Sequence, residues 1–117
     1  MSFGRPYITK IEGCIHDGWL RISPPKTVDK DYLYLLLSSP YIREAFKVAA
    51  AGAVVLNLNA DKVRELVIPI PPINEQHRIV AKVDELMALC DTLKARLADA
   101  QAIQLHLADA IVEQAVC

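Results

Sequence analysis

From Asn74 to Val116 the chain contains neither proline nor glycine, the two residues that most often break a helix. Within that stretch Ile79, Val83, Leu86, Cys90, Leu93, Leu97, Ala100, Gln104, Leu107 and Ile111 follow one another in steps of four and three without interruption. Alternating steps of four and three put these side chains on one seam of a helix, and the mean period predicts a left-handed supercoil. A helix over this span is roughly 60 Å long. Some 70 preceding residues can build a lobe only about 25 Å across. The seam therefore predicts a partner helix from another chain, or from a second repeat of the same unit. Gln104 is the polar member of the seam. It either fixes register, as buried polar residues do in coiled coils, or faces water near a frayed end.

Charge divides the chain at the same place. The 117 residues carry 13 Lys and Arg against 14 Asp and Glu, a formal charge of −1. Residues 1–73 hold nine of the bases and seven acids, a net +2, while 74–117 hold four bases and seven acids, a net −3. Such values lack the strong basic signature common among nucleic-acid binders. With 53% apolar residues and only 6% aromatics, the content is mostly aliphatic, which opposes disorder.

Several classes of function find no support. The sequence has no run of about 18 apolar residues, and Met1 to Lys10 lacks the apolar core of a signal peptide. Cys14, Cys90 and Cys117 are odd in number and widely spaced, so unpaired thiols in a reducing cytosol are expected. His16, His77 and His106 have no ligand spacing, and no phosphate loop, dinucleotide fingerprint or hydrolase elbow occurs. The expectation is a non-catalytic chain with no cofactor and no metal.

The front half reads as α+β with short elements. Residues 5–11 alternate bulky and polar side chains as a strand does, and residues 14–16 and 19–22 read as two more, joined by an Asp17-Gly18 turn. Pro24-Pro25 closes that sheet. Thr27 or Asp29 can cap a helix carrying Tyr32, Leu33, Leu35, Leu36 and Leu37, and a second helix starts just after Pro40 and stops near Gly52. Residues 54–58 read as extended, Asn59 as the cap of a short helix, and residues 66–70 as a strand or extended segment ended by Pro71 and Pro72. Asn74 is the expected cap of the long helix, with Glu75 and Gln76 in a first turn where an acid suits the dipole. Ile73 before it can staple onto Ile79 or the stem of Arg78.

One segment is recognisable. Leu66-Val67-Ile68-Pro69-Ile70-Pro71-Pro72-Ile73-Asn74-Glu75-Gln76-His77-Arg78-Ile79-Val80 resembles the junction of type I restriction–modification specificity subunits. There an Ile-Pro-x-Pro-Pro run leads into Glu-Gln, a basic residue and Ile, and opens a long spacer helix. Gly4-Arg5-Pro6-Tyr7-Ile8 looks like that family's Gly-basic-Pro strand, and Tyr32-Leu33-Tyr34-Leu35-Leu36-Leu37-Ser38 like its Tyr-Leu-x-x-Leu-x-Ser helix. The resemblance implies that residues 1–73 are the C-terminal part of a target-recognition domain and 74–117 its spacer and dimerisation helix. It also implies double-stranded DNA as ligand, docking to methyltransferase and restriction subunits, and antiparallel pairing of spacer helices. The chemistry would belong to the partner subunits, with this chain positioning them on a bipartite target.

Candidate DNA-contacting residues are Arg5, Lys10, Arg21, Lys26, Arg43 and Lys47, as phosphate ligands that position without reading sequence. The candidate seam is Ile79, Val83, Leu86, Cys90, Leu93, Leu97, Leu107 and Ile111, and the helix-start motif is Pro71, Pro72, Glu75 and Gln76. His77 and Arg78 are candidates for docking. Trp19 is expected in the core, His16 at an exposed turn, and Asn57 and Asn59 in turn and cap roles rather than as readers of adenine. A competing reading is a coiled-coil adaptor or inhibitor without DNA binding. Salt-dependent binding to duplex DNA separates the two.

Overall fold

The computed structural model describes residues 4–51 and 58–116. Four helices follow in order: α1 (Lys30–Ser38), α2 (Pro40–Ala50), α3 (Ala60–Arg64) and α4 (Ile73–Val116). The chain divides into two compact units, Met1–Val80 and Ala81–Cys117, so the first two turns of α4 belong to the first unit.

Side-chain caps set the starts of the three short helices. Asp29 accepts hydrogen bonds from the N–H groups of Asp31 and Tyr32 at 3.1 and 3.0 Å and opens α1. Ser39, extended at φ −66° and ψ 151°, ends α1 and starts α2 at once. Its Oγ faces the Ile42 N–H, and Pro40 occupies the first helical position, where no N–H is needed. Asn59 opens α3 by accepting from the Lys62 N–H at 3.0 Å. Of the two caps considered for α1, Asp29 is the one used. The expected stop at Gly52 and the extended stretch over 54–57 lie outside the described residues; the C-cap of α2 is Ala51.

The core of the first unit is small. Ile42, Phe46 and Ala50, four residues apart on one face of α2, are buried, as are Tyr32 and Leu33 of α1. Gly4 lies against this core with φ +67°. A Cβ there would come within 2.9 Å of the Phe46 ring, so both the backbone angle and the close approach call for glycine.

Among the described residues there is no strand, and the expected α+β front half is helical and irregular instead. Residues 5–11, 14–16, 19–22 and 66–70 have strand-like composition, but a strand is stable only as one rail of a hydrogen-bonded ladder. No described segment supplies the other rail. The turn between the expected strands does form, with the Trp19 N–H donating to the His16 carbonyl at 3.0 Å. Side chains on both sides of these segments are exposed, among them Tyr7, Ile8, Ile11, Ile15, Leu20 and Ile22. Trp19, expected in the core, is 54% exposed for the same reason: without a sheet there is no face for it to pack beneath.

The start of α4 also differs from expectation. The helix begins at Ile73, not after Asn74, and the Pro72 carbonyl, not the Asn74 side chain, stands at its start. The Pro72 carbonyl accepts from the N–H groups of Glu75 at 2.9 Å and Gln76 at 3.1 Å. Asn74 is thus inside the helix, and Ile73 is its first residue rather than an outside staple. From Ala81 to Val116 no residue is buried, and every one except the half-buried Val83 is exposed. No described helix is long and apolar enough to cross a membrane.

Candidate functional site

Gln76 is fully buried and is the one buried polar side chain among the described residues. Its amide nitrogen donates to the carbonyls of Thr27 at 3.0 Å and Pro71 at 2.8 Å. Its amide oxygen accepts from the Asp29 N–H at 2.8 Å. Both N–H groups and the oxygen are therefore engaged, and burial costs little because every group lost to water regains a partner. Asp29 meanwhile caps α1 with one carboxylate oxygen, and the other lies 3.6 Å from His77 Nε2. The hydroxyl of Tyr32 donates to the Pro69 carbonyl at 2.8 Å. Together these bonds tie three pieces of the first unit: the N-terminus of α1, the proline run at 69–71, and the first turn of α4.

The helix-start motif thus holds two different residues. Glu75 is half-exposed and pairs with Arg78 at 2.8 Å, an ordinary surface contact. Gln76 is the clasp. Sequence reasoning placed both in the first turn for their fit to the dipole and did not separate them. The available signal was that an uncharged amide gains little from the dipole, so its place beside two prolines had another cause.

All six candidate DNA-contacting residues, Arg5, Lys10, Arg21, Lys26, Arg43 and Lys47, are exposed. Lys47 pairs with Glu44 of its own helix at 3.2 Å. Arg5 places its guanidinium 5.7 Å from the centre of the Tyr7 ring. Tyr7 in turn lies 5.5 Å from Trp19 at a tilt of 56°. An exposed cation and two aromatic rings so form one cluster, which sequence reasoning did not assemble. His16 sits at its turn as expected, with Nδ1 3.0 Å from the Gly18 N–H and 2.8 Å from the Asp17 carboxylate. The turn and Asn59 line one open cleft of about 370 Å³ with Leu20, Leu58 and Ala60. The Asn59 side chain is engaged there as a cap. Asn57 lies outside the described residues.

Along α4 the seam is open. Ile79 and Val83 are half-buried, whereas Leu86, Cys90, Leu93, Leu97, Leu107 and Ile111 are exposed. Cys14 and Cys90 are free thiols. No three His, Cys, Asp or Glu among the described residues converge as a metal site.

The described residues thus comprise a small clasped lobe with exposed bases and a long helix whose apolar seam is largely exposed. Comparison with known proteins gives the family: residues 2–101 match the type I restriction modification DNA specificity domain, and the chain belongs to that family. It is 31% identical over 90 residues to the type I restriction enzyme EcoAI specificity subunit of Escherichia coli, covering 77% of this chain and 15% of that protein. Similarity to the EcoEI specificity subunit is 29% over 91 residues, covering 76% and 15%. To the EcoDI specificity subunit it is 26% over 114 residues, covering 95% and 26%. The chain therefore spans between about a seventh and a quarter of the curated relatives it matches. No solved structure matches it.

Proposed function

We propose that this chain is a non-catalytic DNA-specificity element of a type I restriction–modification enzyme, and that it works as a pair joined through α4. The observation that carries the reading is the open seam on α4, in a chain whose first 101 residues match the family almost throughout. Five large side chains at seam positions, Leu86, Leu93, Leu97, Leu107 and Ile111, are each about half exposed or more. Water contact over so long an apolar line is unfavourable, and a second copy offers the same line in return. Two antiparallel copies would present two lobes, one to each half of a bipartite DNA site. Methyltransferase and restriction subunits would dock on this frame and supply the chemistry. Residues 1–73 would act as the DNA-facing part and 74–117 as spacer and dimerisation helix, in the cytoplasm where that DNA lies. In the assembled recognition domain the segments at 5–11, 19–22 and 66–70 would join a sheet, which their exposed alternating side chains support.

On the lobe, Arg5, Lys10, Arg21, Lys26, Arg43 and Lys47 would contact phosphates, and the Arg5–Tyr7–Trp19 cluster would stand beside them. Sedimentation at tens of micromolar tests the pairing: the wild-type chain should associate, and Leu93→Asp should abolish association. A monomeric wild-type chain, or an associating L93D variant, overturns it. Titration with duplex DNA at several salt concentrations tests the ligand. Binding should weaken steeply with salt, and loss of one phosphate contact, as in Arg21→Ala, should lower the salt slope by about 1. A chain that associates but shows no salt-dependent DNA binding is instead an adaptor built on the same helix.

A further inference from the structure

Tyr7 and Trp19 are each 54% exposed, and their rings touch at 5.5 Å between centres with a tilt of 56°. Arg5 lies over Tyr7 at 5.7 Å. The neighbouring residues alternate in kind: Arg5 and Tyr7 with Pro6 and Ile8, and Trp19 and Arg21 with Leu20 and Ile22. Successive side chains of a strand point to opposite faces. A sheet completed through these segments would therefore gather Arg5, Tyr7, Trp19 and Arg21 on one face and the aliphatic residues on the other. The contact between the two rings is already the one such a face requires. A face with two arginines resists burial in a core, because each guanidinium would need a partner there. Among the described residues neither Arg5 nor Arg21 has a carboxylate partner. The acid of the turn, Asp17, lies against His16 at 2.8 Å.

We infer that Tyr7 and Trp19, with Arg5 beside them, form a stacking site for a DNA base that stands outside the duplex. The inference rests on the DNA reading proposed above and adds a ligand to the cluster. Three features select the occupant. An exposed aromatic face gains from a flat, uncharged π surface, and every nucleobase presents one. Arg5 repels a cationic ligand such as a quaternary amine, which an aromatic pair would otherwise suit, and attracts the phosphate that accompanies every base. Bases within a duplex are covered on both faces by their neighbours, so only an extruded base has a face to offer. Enzymes that act on a base extrude it and leave its opposite partner unpaired, so the methyltransferase of the proposed assembly would create such bases.

Trp19 is the single tryptophan of the chain, so its fluorescence reports this site alone. The probes are a matched duplex, the same duplex with one extrahelical base, and that bulged duplex with an abasic residue in place of the base. The full chain should bind all three with affinities that fall steeply with salt. The duplex with the extra base should bind about tenfold more tightly than the other two, by a ratio that stays constant as salt rises, and it alone should strongly quench Trp19. Trp19→Ala should remove the preference and leave the salt slope unchanged, and Trp19→Phe should restore much of it. Both variants alter an exposed ring, and circular dichroism checks that they fold as the parent does. Salt-dependent binding without preference for the extra base overturns the inference and leaves the DNA reading intact, as does a preference that survives Trp19→Ala. Equal binding of the abasic bulge means that bending of the DNA is recognised, not a base, and overturns it too. No salt-dependent binding to any of the three overturns the DNA reading and the inference together.

Discussion

The two units of this chain solve opposite problems. The first, through Val80, is short of core: among its described residues five apolar side chains are buried, and a buried amide completes the packing. The second, from Ala81, is rich in apolar residues and buries none of those described. A lobe so lightly packed depends on directional bonds, where one lost donor or acceptor is felt. The helix leaves exposed an apolar line that, in the pairing proposed above, a second helix would cover. Stability of the lobe should therefore be a property of single residues, and that of the helix a property of concentration.

The largest expected blow to the lobe is Phe46→Ala, which empties the centre of the α2 face and should cost about 3–5 kcal/mol. Hydrogen exchange should then lose protection over Tyr32–Ala50 while association through α4 persists. Loss of association in that variant would mean the two units are not separable. Next is Gln76→Ala, which strands the Asp29 N–H and the carbonyls of Thr27 and Pro71 and should cost about 2–4 kcal/mol in chemical denaturation. Gln76→Glu should be comparably damaging, because a carboxylate cannot donate to the two carbonyls. Gly4→Ala forces a Cβ to 2.9 Å from the Phe46 ring at a positive φ and should cost about 1–2 kcal/mol. At the small end, Glu75→Ala removes an exposed pair and should shift the unfolding midpoint by no more than about 0.5 kcal/mol. If Glu75→Ala proved as costly as Gln76→Ala, the division of labour within the helix-start motif would be wrong.

Local chemistry was legible in the sequence, and what depends on distant partners was not. Asp29 and Asn59 mark helix starts because a cap is settled within four residues, and the second helix, expected just after Pro40, starts at Pro40 itself with Ser39 as its cap. The length of α4 was equally plain, since a helical period free of proline and glycine needs no tertiary context to be read. The strands failed for the converse reason: Tyr7, Ile8, Trp19 and Ile22 have the right composition, but a ladder needs a neighbour, and none is present among the described residues. Asn74 misled because the Pro72 carbonyl two residues earlier already opens the helix, accepting from the N–H groups of Glu75 and Gln76. Gln76 was placed correctly in the first turn, yet its burial comes from residues 47 and 49 positions away.

The clasp at Gln76 grips nothing but peptide groups: two carbonyls and one N–H. Such a lock is indifferent to which side chains hang from the residues it holds. Residue 27 can change freely without loosening it, whereas residue 76 cannot change at all. A lobe fastened in this manner can be re-surfaced, with new charges and new rings facing outward, and still seat on the same helix start.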